Sequence, residues 1–194
     1  MFDVEEFVAE CRAALGEQQP AVATKELLDR ALADPAGIDE ALGVPDRGGV
    51  VALHRSEDLT VLQIVWPPRV SLFPHEHRMW AVNGIYGGRE DNTFFRRGPN
   101  GIVPSGGKAL DAGDVVVLGR EVIHAVLNPR STYTAAIHVY GGDFFATPRS
   151  QWDADTLTEE PFDVAHLKRV LAEADEAAQP LSRTADTPDR RRSS

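Results

Sequence analysis

The sequence predicts a mainly β protein, a barrel or sandwich flanked by helices at both ends. From Gly48 to about Pro148 the chain breaks into short β-rich runs separated by Gly, Pro, Asn and Asp. Before Gly48 and after Asp163, apolar residues recur at helical spacing instead. A length of 194 residues suits one domain with decorations.

The first helix is expected over residues 3–15, where Val4, Phe7, Val8, Cys11, Ala14 and Leu15 share a face and Gly16 ends it. A second is expected over "ATKELLDRALA", with a short continuation at "GIDEALG". "VVALHR", "LTVLQIVW", "MWAVNGIY", "NTFFRR", "DVVVLG", "HAVLN" and "TYTAAIHVY" read as strands, because β-branched and aromatic residues dominate them. "DVAHLKRVLAEADEAA" (163–178) returns to helix with Asp163 as its N-cap. From Pro180 the chain has almost no apolar content and is expected to be disordered. The expected organisation is a helical segment over 1–47, a barrel with a metal site over 48–150, a helical segment over 151–179 and a tail over 180–194.

Composition narrows the function classes. The net charge of −10 opposes a nucleic-acid partner, since phosphate binding needs a basic face. No apolar run approaches the roughly 20 residues a membrane helix needs, and the acidic start does not resemble a signal peptide. A cytoplasmic protein without a membrane partner is therefore expected. With Cys11 as its one cysteine, the chain has no internal disulfide and no thiolate-rich zinc site. Any metal would rest on imidazole, carboxylate or water.

"PHEH" places His75 and His77 at i and i+2, which on a strand aims both rings at one face. That pair alone fits a wet strand face as well as half a metal site. Further along, "GDVVVLGREVIHAVLNP" has a Gly-Asp turn, an apolar strand, a turn at Gly119 and His124 opening another strand. This resembles the second half of a cupin, a double-stranded β-helix (jelly-roll) barrel. The resemblance implies that His75, His77 and His124 converge on one metal inside the barrel. Two ligands from one strand and a third from across a barrel would leave open positions, which suits Fe(II), Zn, Ni or Mn. The common cupin pattern adds a Glu four or five residues beyond the pair, but Ala81 and Val82 stand there. Glu76 points to the opposite face and Glu90 lies beyond a Gly-rich turn, so three histidines and no carboxylate are assigned.

Alternation in "TYTAAIHVYGG" places Thr134, Ala136, His138 and Tyr140 on one face and Tyr133, Ala135, Ile137 and Val139 on the other. By itself this fits a solvent-facing polar side with Ile137 and Val139 as the core. Together with the histidine pair and "IHAVLN", however, "HVYGG" resembles the thiol dioxygenase branch of cupins, the cysteine dioxygenase-like proteins. The resemblance spans roughly residues 48–148, and "HRMWAVNGIYGGREDNTFFRR" resembles a bacterial subgroup.

The resemblance implies a non-haem Fe(II) oxidoreductase that converts a small organic thiol to a sulfinate with O₂. It implies His138 and Tyr140 as catalytic residues and Arg55 as the substrate-binding residue, where the cysteine enzymes place a carboxylate clamp. A guanidinium fork matches a carboxylate in two parallel hydrogen bonds, but Arg55 reads equally as an edge-strand surface charge, and Arg78 and Arg89 compete for the role. Trp80 and Tyr86 are expected to pack the barrel. Two departures bear on the substrate: Ala136 replaces the family's serine beside the relay, and no cysteine lies near the site to crosslink to a tyrosine. Other readings are a cupin metalloenzyme of another type (other oxygenation, lyase or isomerase) and a metal- or ligand-binding cupin module without turnover.

Overall fold

Three helices precede the first strand in the computed structural model, which describes residues 1–178. The expectation for 180–194 lies outside the described residues. Helix α1 (Val4–Ala14) starts where Asp3 Oδ1 accepts the Glu6 N–H at 2.9 Å. Helices α2 (Pro20–Ala31) and α3 (Pro35–Leu42) both open on proline, whose missing N–H costs nothing in a first turn.

The strands are β1 (Gly49–Arg55), β2 (Thr60–Trp66), β3 (Ser71–Glu76), β4 (Ala81–Gly87), β5 (Arg89–Gly98), β6 (Gly101–Asp111), β7 (Val115–Leu118), β8 (Ile123–Leu127), β9 (Thr134–Tyr140), β10 (Ser150–Trp152) and β11 (Glu159–Pro161). They form two antiparallel sheets, in the orders β1-β2-β9-β4-β7 and β11-β10-β3-β8-β5-β6. From β2 to β9 the chain crosses repeatedly between the sheets, giving β2-β9-β4-β7 opposite β3-β8-β5-β6. That order is a jelly roll, the double-stranded β-helix the sequence predicts.

Two apolar layers hold it together. Between the sheets lie Leu62, Ile64, Trp66, Leu72, Ile85, Val126, Ala136 and Tyr140, joined by Leu167 and Leu171 of α4 (Val164–Ala178). On the outer face of the first sheet, Val61, Val82, Ile137 and Val139 pack against Phe7, Cys11, Leu28 and Ile38 of the helices. Strands β2 and β9 are therefore buried along their whole length, which explains their nearly unbroken apolar sequence. Trp80 and Tyr86 belong to this helix-facing layer and not to the barrel interior.

Strand β6 was not expected, because "GIVPSGGKALD" carries three glycines and a proline. It is a largely exposed edge strand whose register is imposed by β5, from Arg89↔Asp111 to Gly98↔Gly101. At the other end, Asp163 caps α4 as expected, its Oδ1 accepting the Ala165 N–H at 2.8 Å. Asp175 anchors that helix by accepting the Gly48 N–H at 2.8 Å and the Tyr133 hydroxyl at 3.0 Å.

Asn128 clips strand ends together from a fully buried position. Its Nδ2 donates to the carbonyls of Trp66, Pro67 and Thr132 at 3.1, 2.9 and 2.9 Å, and its Oδ1 accepts from the Arg130 N–H and the Thr134 hydroxyl at 3.0 and 3.1 Å. Asn128→Ala orphans these groups and is expected to destabilise the protein by about 2–4 kcal/mol. Urea unfolding measures this, and a loss under about 0.5 kcal/mol would show that the clip carries no weight.

Candidate metal centre

Strand pairing brings His75 directly opposite His124 across β3 and β8. Leu72 pairs with Val126, so β3 carries one residue more than β8 between the two pairs. That extra residue is a bulge, and it re-aims the side chains beyond it. Without it, Pro74 would face His124 and His75 would fall on the outer side. His75 Nδ1 donates to the Phe73 carbonyl at 3.1 Å, which fixes its ring. His77 comes just after the end of β3, and Arg78 turns the chain away with φ 60°. Glu76 points outward between them, buried under Arg78 at 2.7 Å and Arg97 at 3.4 Å.

The three imidazoles offer nitrogens within 4.8 Å of one another. His77 Nε2 lies 3.3 Å from both His75 Nε2 and His124 Nε2. Imidazole bonds of about 2.0–2.1 Å to one ion put adjacent ligand nitrogens roughly 3.0–3.4 Å apart. The Nδ1 partners agree: Phe73 O for His75 and Asn92 Oδ1 at 2.6 Å for His124 are acceptors, which hold each proton on Nδ1 and leave the Nε2 lone pairs converging. Burial lowers all three pKa values: His75 falls to about 4, with Arg149 adding to it, and His77 and His124 lie well below the ordinary value, with repulsion from neighbouring histidines adding to theirs. Three neutral imidazoles in a dry barrel fit a divalent ion. The donor set does not select which one.

His138 and Tyr140 line the barrel interior beside this cluster. Tyr140 sets its ring edge-on to His77 with centroids 5.1 Å apart, and its hydroxyl lies 3.0 Å from His138 Nδ1. Burial lowers His138 to about 3 and raises the Tyr140 phenol, so both are neutral at physiological pH. Glu90 is fully buried but does not join the metal cluster. Its two oxygens accept from Trp66 Nε1 at 2.8 Å and Asn92 Nδ2 at 2.9 Å.

Arg55 is not part of this assembly. It sits half-exposed on β1, the edge of its sheet, and its Nε and Nη2 are closed on Asp143 at 3.0 Å each. The expected carboxylate clamp is thus a strap on the loop after β9, the edge-strand alternative of the sequence reading. Arg78 and Arg89 are likewise engaged, with Glu76 and Asp91 at 2.7 and 2.8 Å.

The cation that reaches the site is Arg149, which the sequence did not single out. It is 8% exposed, with its guanidinium 3.9 Å from the Phe162 ring centre and 4.3 Å from that of Phe144. Phe162 packs 5.8 Å from His75, and Phe144 lies 4.6 Å from Tyr140. Nη1 donates to the carbonyls of Phe144 and Thr147, while Nε and Nη2 are buried without a partner. Burial lowers the Arg149 pKa to about 10, which still leaves it charged at neutral pH.

No protein-family model matches the chain. Similar solved structures include the cupin domain of Cnp3 from Schizosaccharomyces pombe, at 10% identity and TM-score 0.42 over 50% of this chain and 61% of that one. An RmlC-like cupin from Methanocaldococcus jannaschii is similar at 17% identity and TM-score 0.42, over 53% and 88% of the chains. A cupin superfamily protein from Desulfitobacterium hafniense gives 16%, 0.42, 52% and 82%. At such identities and TM-scores the likeness carries no argument about this chain. Among the described residues, no helix is long and apolar enough to cross a membrane.

The buried neutral histidines make stability depend on pH. Unfolded histidine takes up a proton near pH 6.5, whereas native His75 refuses one until about pH 4. The unfolded state therefore holds more protons in that window, and stability falls as pH drops through it. The metal-free protein is expected to lose up to about 1.4 kcal/mol per pH unit for each such histidine. Urea midpoints measured across the window test this; a flat profile would mean that the rings are not buried neutral.

Proposed function

We propose that the protein is a metal-dependent thiol dioxygenase, of the cysteine dioxygenase-like kind, for a small thiol that carries a carboxylate. One observation carries the anionic half of this reading: Arg149 is a buried cation beside the histidine cluster with an unpaired hydrogen-bonding edge. Asp143 and Glu76 act on it only from beyond contact distance, and a buried charge that no carboxylate touches is costly, by several kcal/mol even after relaxation. Its unpaired Nε and Nη2 form the same edge that Arg55 closes on Asp143, so a carboxylate would fit it in two parallel hydrogen bonds. The thiol half rests on the likeness of "IHAVLN" and "HVYGG" to the thiol dioxygenases.

Fe(II) at His75, His77 and His124 would supply open positions for a soft sulfur donor and for O₂, and the redox chemistry that joins them. The balance closes without another reductant. Oxidation of a thiol to a sulfinic acid releases four electrons, which one O₂ accepts as both its atoms enter the product. Arg149 holds the carboxylate and thereby sets where the sulfur lies. Phe73, Phe144 and Phe162, packed around His75 and Tyr140, keep water out. Tyr140, its hydroxyl proton held by His138 Nδ1, turns its oxygen lone pairs toward the substrate as a hydrogen-bond acceptor.

An oxygen electrode with iron-loaded protein and 3-mercaptopropionate, cysteine and cysteamine tests the reading. One O₂ consumed per sulfinate is expected with a carboxylate thiol, and little uptake with cysteamine, which lacks that group. Arg149→Lys is expected to raise KM about tenfold or more, since an ammonium loses the paired geometry. Arg55→Lys should leave KM near wild type. No uptake with any thiol by iron-replete protein that still binds thiol would favour a binding module, the reading that Ala136 supports.

Tyr140→Phe is expected to keep its iron and its thiol affinity while kcat falls by about 10²–10³, the scale seen when one preorganised hydrogen bond is lost. Unchanged turnover would remove Tyr140 from the mechanism.

A further inference from the structure

The proposed mechanism leaves the buried Glu90 unused. Glu90 and Asn92 sit on the same face of β5, which pairs with β8 so that Asn92 lies opposite Val126, and Phe94 opposite His124. Asn92 thereby reaches His124 Nδ1 at 2.6 Å with its carbonyl oxygen. That contact orients its amide, because His124 must donate from Nδ1 if Nε2 is to face the cluster. Asn92 Nδ2 is then a donor to Glu90 Oε1 at 2.9 Å. The indole of Trp66 can only donate, and it does so to Glu90 Oε2 at 2.8 Å. Both oxygens of Glu90 thus face donors, the arrangement a carboxylate requires, even though burial pushes its pKa up.

Across from Oε2, at 3.8 Å, stands His138 Nε2. That nitrogen is buried and has no other polar partner. The opposite ring nitrogen, Nδ1, meets the Tyr140 hydroxyl at 3.0 Å. A neutral imidazole carries one proton, and a carboxylate facing Nε2 draws it there. Ala136, on the same strand face two residues before His138, offers no hydroxyl for the purpose.

We propose that Glu90 is a positioning residue that holds His138 in the Nε2–H tautomer, so that Nδ1 accepts the Tyr140 hydroxyl and fixes its direction. The contact is longer than a hydrogen bond, and such contacts commonly tighten when a site is filled. The chain His124–Asn92–Glu90–His138–Tyr140 then links a metal ligand to the tyrosine, with donation running toward Glu90 from both ends and ending on its two oxygens. Only the effect on turnover rests on the thiol dioxygenase reading. The tautomer does not.

The experiment has two parts. In metal-free protein with ¹⁵N-labelled histidine, long-range ¹H–¹⁵N spectra read which His138 nitrogen carries the proton. Wild type should show Nε2–H, and Glu90→Gln should shift His138 toward Nδ1–H or a mixture. A wild-type Nδ1–H tautomer, or a spectrum unmoved in Glu90→Gln, overturns the proposal whether or not any thiol is oxidised.

In iron-loaded protein, Glu90→Gln should lower kcat about 10–100-fold with KM and iron content held. The same change made in His138→Gln should add almost nothing, because the two act through one path. Full additivity of the two losses, or a rise in KM in place of the fall in kcat, would overturn the positioning role. Absence of turnover in wild type would instead count against the thiol dioxygenase reading, and the tautomer measurement would still decide on Glu90.

Discussion

The pairing of His75 with His124 across β3 and β8 is the contact on which the site depends. Side chains alternate faces along a strand, so a slip of one residue would carry a ligand out of the barrel. The extra residue at Phe73–Pro74 sets that register locally, and the apolar layer around Leu72, Val126 and Phe73 holds it from both sides. The same strand that must deliver His75 inward must also deliver Glu76 outward to Arg78 and Arg97. Packing and ion pairing thus select the same register.

Burial then decides protonation. The barrel closes over imidazoles, a phenol and a carboxylate with little water, and each group settles into the form that its neighbours can hydrogen-bond. Neutral histidines result from the dry interior alone, but their tautomers do not. Those come from partners one step further out: Phe73 O, Asn92 and, as proposed, Glu90. The chemistry of the centre is therefore specified on β5 and in the β3 bulge as much as by the histidines themselves.

Much of this was legible in the sequence. Strands buried on both faces, such as β2 and β9, announce themselves as apolar runs, and the helix cap at Asp163 obeys local hydrogen-bonding rules. The histidine triad was legible as spacing joined to a family likeness. Strand β6 was not, because its conformation comes from the neighbouring strand and not from its own residues. Arg149 was equally hidden. It lies in an irregular stretch without periodicity, and its importance arises from Phe144 and Phe162, which sandwich it, and from the carboxylate that is missing beside it. The partner of Arg55 was hidden for the converse reason: its strand position suits a clamp, but its fork meets Asp143, far along the chain.

The isolation of Arg149 also sets an account of charge for the closed barrel. Glu90 contributes one negative charge on the β5 side, and Arg149 one positive charge between the two phenylalanines. These two balance, so a divalent ion at the histidines would leave two positive charges in a medium that tolerates almost none. A substrate bearing a thiolate and a carboxylate would bring the interior to electroneutrality. A substrate with only one anionic group would leave an excess that the surrounding apolar wall cannot screen. Under the proposed reading, the selection of a ligand would be a matter of net charge before one of shape.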